Sequence, residues 1–448
     1  MYLASVERPA VAERTKAAKV AANVLALGTV SLVTDVSSEM VTAILPLYLV
    51  VGLGLGPAVY GLVDGLYTGA TALLRLAGGY IADRVRKRKL VAGLGYGISA
   101  VAKAGFLLAG GSLPGIGAAI VADRAGKGLR TAPRDALITL STPAEGLGRA
   151  FGVHRAMDSA GAFAGPLVAI GVLAASAQAF DAVFVVSGCI ATIGVLILVL
   201  FVRERPFPPP AARLAPPSSD EAGSPPAGSP TAGSPPAAKV SLSGDEAVSP
   251  RAVSLREAAM LLRRSRVRAL LFGAMLLGLS TIGDGFVYLL LQRRESFAAG
   301  WFPLLAVGTS LVYLILAVPL GALADRAGRT RVFLGGYAAL LAVYLILATS
   351  WSGLGALVTV LFLYGLFYAA TDGVLMAVAG PLLPEHLRTT GLALIQTGQA
   401  VAYLVSSVLF GLAWQWWGAA GAIRAVVAAA TLTLAGSATL LLRSRAAS

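Results

Sequence analysis

Apolar residues run along this chain in long uninterrupted stretches separated by short polar turns. Twelve stretches stand out, at 21–51, 58–82, 90–110, 114–132, 148–174, 179–202, 268–291, 300–324, 331–350, 353–379, 389–413 and 418–442. A helix needs roughly 20 apolar residues to cross the hydrocarbon core of a bilayer, and most of these stretches have that length. Backbone amides find no water in lipid, so each stretch is read as a helix. A transmembrane barrel would show short alternating segments instead. The pattern predicts an all-α polytopic membrane protein with twelve transmembrane helices. The first stretch is too long for a signal-peptide core and is read as a retained span.

The pattern fails between residues 203 and 267. Ala-Gly-Ser-Pro-Pro occurs at 222–226 and again at 232–236. A Pro/Ala/Gly/Ser tract of this kind cannot bury enough apolar surface to order itself. Residues 254–268 then become basic with interspersed leucines. They are read as a surface helix on anionic lipid headgroups or as an extension of the seventh span. The expected layout is a cytoplasmic segment 1–20, a six-helix bundle 21–202, a cytoplasmic linker 203–267, a second six-helix bundle 268–442 and a tail 443–448. Arg and Lys cluster before the first span and at 84–89, 134, 149, 326–331, 388 and 443–445, and are sparse in the intervening turns except for Arg293, Arg294 and Arg424. The positive-inside rule therefore places both termini in the cytoplasm, and the protein is expected in the cell inner (plasma) membrane.

Composition supports this reading. Of 448 residues, 57% are hydrophobic and 13% charged, where a soluble domain carries nearer a quarter charged. A net charge of +14 would suggest nucleic acid in a soluble protein, but here it accumulates in loops, so no nucleic-acid partner is expected. Cys189 stands alone and the only histidines are His154 and His386, too few for a soft-metal site. No cofactor is implied. Ala125-Gly-Lys-Gly128 lacks the upstream glycine and the Ser/Thr of a phosphate loop, so transport energy would come from a gradient. No nucleophile–base pair is visible, and the chain is not expected to be an enzyme.

The two halves repeat. Gly79-Tyr-Ile-Ala-Asp83-Arg84 closes the second span and Gly321-Ala-Leu-Ala-Asp325-Arg326-Ala-Gly328-Arg329 closes the eighth; Arg149-x-x-Gly152 and Arg388-x-x-Gly391 open the fifth and eleventh. Such a repeat implies two pseudo-symmetric bundles with a site between them at mid-membrane.

These residues resemble the loop motif of the major facilitator superfamily, here in both halves, with Arg86 where the family usually has Gly. Arg124-Ala-Gly-Lys127-Gly128 is similar to the family's fourth-span motif, with Lys in place of Gln. Gly161-x-x-x-Gly165-Pro166 resembles its antiporter motif, without the later glycines. The combination of Asp35-Val-Ser-Ser-Glu39, Asp123 to Asp135 and His154-Arg155-Ala-Met-Asp158 looks like a bacterial branch of the superfamily, some members of which are linked to efflux. The resemblance covers the chain apart from the linker. It implies that Gly79, Asp83 and Arg84, with their counterparts Gly321, Asp325, Arg326 and Gly328, form a cytoplasmic latch. In it a carboxylate faces a helix N-terminus, favourable by roughly 0.3–1 kcal/mol.

Charges inside the spans are the candidate chemistry, since each costs on the order of 2.5–3.5 kcal/mol at a helix centre by insertion scales. Asp35 and Glu39 lie four apart on one face of the first span. They are candidates for proton coupling, with Arg124, Arg155 and Asp158; the alternative is ion pairing with neighbouring helices. Asp64, Thr68, Thr71 and Arg75 form a polar stripe on the second span. Asp64, Thr68, Arg75, Asp284, Tyr288, Tyr368, Asp372 and Gln396 are the candidate substrate contacts, or alternatively helix–helix hydrogen-bonding groups. Lys103 reads equally as a lipid-snorkelling side chain. The basic groups of spans two, four and five lean slightly toward an anionic moiety. The expected function is secondary active transport by alternating access, as proton-coupled efflux of a small organic molecule by a monomer. Uptake by symport or uniport stays open, and so does a receptor or scaffold on the same fold that recruits a partner through the linker.

Overall fold

The protein, as a computed structural model, is described over residues 21–85, 87–142, 147–204, 261–383 and 388–446, and these are helical. The central 206–250 tract, residues 254–260 of the basic 254–268 segment and the first 20 residues lie outside the described residues. The first half supplies α1 (Ala22–Leu47), α2 (Pro57–Val85), α3 (Arg88–Leu108), α4 (Leu113–Leu140), α5 (Leu147–Ala175) and α6 (Phe180–Phe201). The second supplies α7 (Ser265–Gly278), α8 (Asp284–Glu295), α9 (Pro303–Ala327), α10 (Arg329–Ala348), α11 (Leu354–Thr371), α12 (Val374–Ala379) and α13 (Arg388–Ala446). Gly418, at φ 70 and ψ 172, breaks α13 into the expected eleventh and twelfth spans. The last helix runs past 442 into the expected tail.

Among the described residues eight helices are long and apolar enough to cross a membrane. α4 is not one of them: Asp123, Arg124, Lys127, Arg130, Arg134 and Asp135 all lie within it, and its charges are matched by neighbours rather than by water. Large apolar side chains such as Leu108, Val318, Leu354 and Leu432 cover the outer surface, as lipid-facing positions require.

Two of the expected spans are broken. The seventh stops at Gly278 and restarts at Asp284. The freed backbone groups are satisfied locally: Ser280 and Thr281 donate back to the Leu277 carbonyl at 3.0 Å each, and the Ile282 amide donates to the Tyr344 hydroxyl at 3.1 Å. The tenth stops at Thr371 and restarts at Val374, turning through Gly373 at φ 74. Irregular backbone at membrane depth survives only where protein or a cavity surrounds it.

The bundles meet along two seams. α2 packs on the first arm of α13, and α5 packs on α9, so the second span of each half lies against the fifth span of the other. Along the first seam the contact is close. A Cβ on Gly65 would lie 2.9 Å from the Leu404 carbonyl oxygen, and one on Gly61 would overlap the Ser407 carbonyl. Tyr60, Phe286, Phe410 and Trp414 extend this contact as edge-on ring pairs. This end of the molecule, opposite the start of α1, is closed.

Candidate functional site

Between the bundles lies a cavity of about 670 Å³ whose walls come from α1, α2, α5, α8, α9, α11 and α13. That volume is within the range of small-molecule sites, roughly 300–1,000 Å³. The break in the seventh span sets Asp284 in the first turn of α8, and the break in the tenth sets Asp372 at the end of α11. Both line the cavity, with Asp64, Thr68, Tyr288 and Tyr368. Six of the eight candidate substrate contacts thus converge. Gln396 does not line the cavity and is exposed on α13; Tyr403 and Ser407, further along that helix, carry the inward polar face. The Arg75 side chain lies outside the described residues.

The carboxylates are held by hydroxyls. Asp64 accepts from Ser407, from Tyr403 at 3.1 Å and from Tyr60 at 3.4 Å, so two of its donors come from the opposite bundle. Asp284 accepts from Tyr364 at 2.8 Å and from Tyr368 through the same Oδ1. Asp372 accepts from Tyr313 at 3.0 Å. Sequence reasoning misses the wall roles of Tyr60 and Tyr313, although Tyr60 extends the Asp64–Thr68 stripe by one turn.

Asp35 and Glu39 point the same way, toward α4. Asp35 faces Arg130 at 3.5 Å and Glu39 faces Lys127 at 4.0 Å. Spacings of four on α1 and three on the antiparallel α4 form a two-rung ladder. The ion-pairing alternative therefore describes Asp35, which is nearly buried. Glu39 is half-buried and also opens into the cavity. Behind the ladder Asp123 binds Arg124, through Nε at 3.0 Å, and Lys103 at 2.8 Å. Lys103 is 1% exposed, so it is not a snorkelling side chain; it neutralises Asp123. The Arg124 guanidinium lies 3.8 Å above the Tyr67 ring, whose hydroxyl meets Thr42 at 2.6 Å. Arg124 thus borders the cavity through Tyr67 rather than lining it.

Asp158 on α5 sits beside the Asp35 carboxylate. Arg134 approaches it at 3.7 Å and Arg155 at 3.9 Å. Arg155 is largely exposed, so the buried cation of this group is Arg134, which also donates to Ser31 at 3.2 Å. Ser31 in turn meets His154 at 3.0 Å.

Gly161 and Gly165 let α5 approach the α1 backbone: a Cβ on Gly165 would lie 2.7 Å from the Glu39 Cβ and 2.8 Å from the Val36 carbonyl oxygen. Pro166 lines the cavity. Of the expected latch residues, the side chains of Gly79, Asp83 and Arg84 lie outside the described residues. In the second half Asp325 pairs with Arg329 at 2.9 Å, and Arg329 reaches the Ala377 carbonyl on α12 at 2.9 Å. Gly328 turns the chain at φ 99, a conformation that favours glycine. Arg326 is exposed and Gly321 faces open space.

Two helical halves around a central cavity, with broken helices in the second, have the architecture of a transporter. The sequence profile of the Major Facilitator Superfamily matches residues 27–303 and 270–448. An uncharacterised MFS-type transporter of Methanocaldococcus jannaschii is 30% identical over 408 residues, 88% of each chain. An uncharacterised protein of Mycobacterium bovis is 35% identical over 157 residues, 35% of this chain and 38% of its own. Among solved structures, a point-mutant form of the nucleoside transporter NupG superposes with a TM-score of 0.72 at 13% identity, covering 93% of this chain and 99% of its own. A POT family transporter in complex with 5-aminolevulinic acid superposes at 0.71 and 14%, covering 94% and 96%. The chain belongs to the Major Facilitator Superfamily; it is a multi-pass membrane transporter of a small molecule.

Proposed function

We propose that the protein moves a small organic molecule across the cell inner membrane by alternating access, coupled to protons, in the direction of efflux and as a monomer. The observation that carries this reading is the cavity itself: it is walled by both bundles, closed at one end by the α2–α13 seam, and borders a half-buried carboxylate, Glu39, paired with Lys127. A carboxylate that faces the cavity and is held by an ion-pair partner on a neighbouring helix can link proton occupancy to bundle position. Asp35, Arg124, Arg155 and Asp158 form the charged surroundings of that group. The resemblance of Gly161-x-x-x-Gly165-Pro166 to the antiporter motif supports the efflux direction. The distribution of basic loops supports cytoplasmic termini and therefore a cavity that opens toward the cytoplasm. In that orientation Asp325 and Asp83 stand at the cytoplasmic ends of α9 and α2, where they form the latch when that side closes.

The test uses purified protein in liposomes loaded with a mixed pool of small organic compounds, with flux followed by mass spectrometry with and without a pH gradient. Gradient-driven exit of particular compounds is expected, abolished by Asp35→Asn with Glu39→Gln. Flux that ignores the gradient, together with normal transport by the double variant, overturns the coupling.

A further inference from the structure

We infer that the cavity takes an organic cation: an amine, guanidine, quaternary ammonium or phosphonium carrying aromatic or alkyl groups. This rests on the reading of the cavity as the transport site, and it departs from the slight anionic leaning of the sequence.

The argument starts from what lines the cavity and what does not. Four carboxylates reach it, from Glu39, Asp64, Asp284 and Asp372, and among the described lining residues there is no lysine or arginine. The described basic groups of α4 and α5 are committed elsewhere, and the Arg75 side chain of α2 lies outside the described residues. Lys103 and Arg124 hold Asp123, Arg130 holds Asp35, and Arg134 holds Asp135 and approaches Asp158. Lys127 reaches Glu39 at 4.0 Å, so one of the four carboxylates has a cation; for the other three no ion pair exists among the described residues. Arg155 is mostly exposed, lies 3.9 Å from Asp158 and also interacts electrostatically with Tyr313, but does not line the cavity.

Hydroxyl partners leave charge in place. Asp284 takes both tyrosine hydroxyls on Oδ1, and Asp372 takes Tyr313 on Oδ2. The second oxygen of each accepts no side-chain hydrogen bond among the described residues. Because these tyrosines spend their hydroxyls on carboxylates, what remains for a ligand is ring face, which is electronegative and attracts cations. Tyr313, Tyr368 and Tyr403, each bonded to a carboxylate, line the cavity, as does Tyr288, whose hydroxyl lies beside Thr309.

The broken helices reinforce the sign. A helix N-terminus ordinarily favours an anion, but the start of α8 already carries Asp284 in its first turn. The end of α11, where Asp372 sits, carries the negative pole of the helix dipole. An anionic ligand would meet fixed negative charge at both breaks, whereas a cation would meet carboxylates and ring faces together.

The experiment compares tetraphenylphosphonium with tetraphenylborate, which share a shape and differ in charge. Binding to the purified full-length protein is measured by equilibrium dialysis against empty micelles. The phosphonium is expected to bind ~10-fold or more tightly than the borate, a difference of about 1.4 kcal/mol. Asp284→Asn and Asp372→Asn should each weaken it ~10-fold while eluting and melting as wild type. Equal or tighter borate binding, absence of phosphonium binding, or phosphonium binding indifferent to both substitutions overturns the inference. Gradient-driven exit of anions alone from the mixed-pool liposomes would also overturn it, yet leave the transporter reading standing.

Discussion

The closed end of the cavity is held by hydrogen bonds that cross from one bundle to the other, and their removal has a calculable effect. Asp64 on α2 accepts from Tyr403 and Ser407 on α13. In the state open at this end, water would replace both donors. The appropriate value is therefore the net contribution of a hydrogen bond, about 0.5–1.5 kcal/mol each, rather than its larger value in an apolar medium. Tyr403→Phe with Ser407→Ala should thus destabilise the closed state by about 1–3 kcal/mol, a shift of roughly 5- to 150-fold toward the open one. The assay is a distance distribution between spin labels at Val51→Cys and Ala298→Cys. Both sites are exposed at the closed end, and the exposed native thiol is removed by Cys189→Ser. The double variant should gain a longer-distance population that the parent lacks. An unchanged distribution would refute the idea that Asp64 fastens the two bundles.

Other consequences follow from the packing and the buried charges. Gly65→Ala places a methyl 2.9 Å from the Leu404 carbonyl oxygen; overpacking of about 1–3 kcal/mol should open the same end in the same spin-label measurement. Asp123→Asn leaves Lys103 in the interior without its carboxylate, and breaking a buried pair costs about 3–5 kcal/mol. Its melting temperature should fall sharply and recover only in part when Lys103→Met is added, because the buried Arg124 also loses its carboxylate. Gly328→Ala forces a side chain into φ 99 and should cost about 1–3 kcal/mol, read as a lower melting temperature.

Much of this architecture was legible in the sequence. Runs of apolar residues long enough for lipid, together with the repeated Gly-x-[Ile/Leu]-Ala-Asp-Arg element, carry the two-bundle plan because spanning helices and tandem halves leave marks at every position. The breaks at 279–283 and 372–373 did not show, since a hydrophobic stretch looks the same whether or not its hydrogen bonds are continuous. A faint signal existed: Gly283-Asp284 and Asp372-Gly373 are turn-prone dipeptides in mid-span. Helical spacing was enough to bring Asp64 and Thr68 to one wall, and tyrosine beside acid pointed to Asp284 and Tyr368. It misassigned Gln396 because a face has to be chosen among several polar residues, and packing at Gly278 and Leu404, not periodicity, fixes which way α13 turns. The pairing of Asp35 with Arg130 and of Glu39 with Lys127 depends on the relative height of two antiparallel helices, which no single segment records. The same holds for Lys103, whose environment is decided by Asp123 on the neighbouring helix.

The most direct measurement concerns Glu39, the carboxylate that faces both Lys127 and the cavity. Proteoliposomes enclosing a pH-sensitive dye are given a transported compound on one side, and the internal pH is followed as it crosses. In the wild type the internal pH should change in proportion to the compound moved. In Glu39→Gln the compound should still exchange across the membrane with no change in internal pH. Transport by the wild type without any pH change, or an equal pH change in Glu39→Gln, would contradict the account.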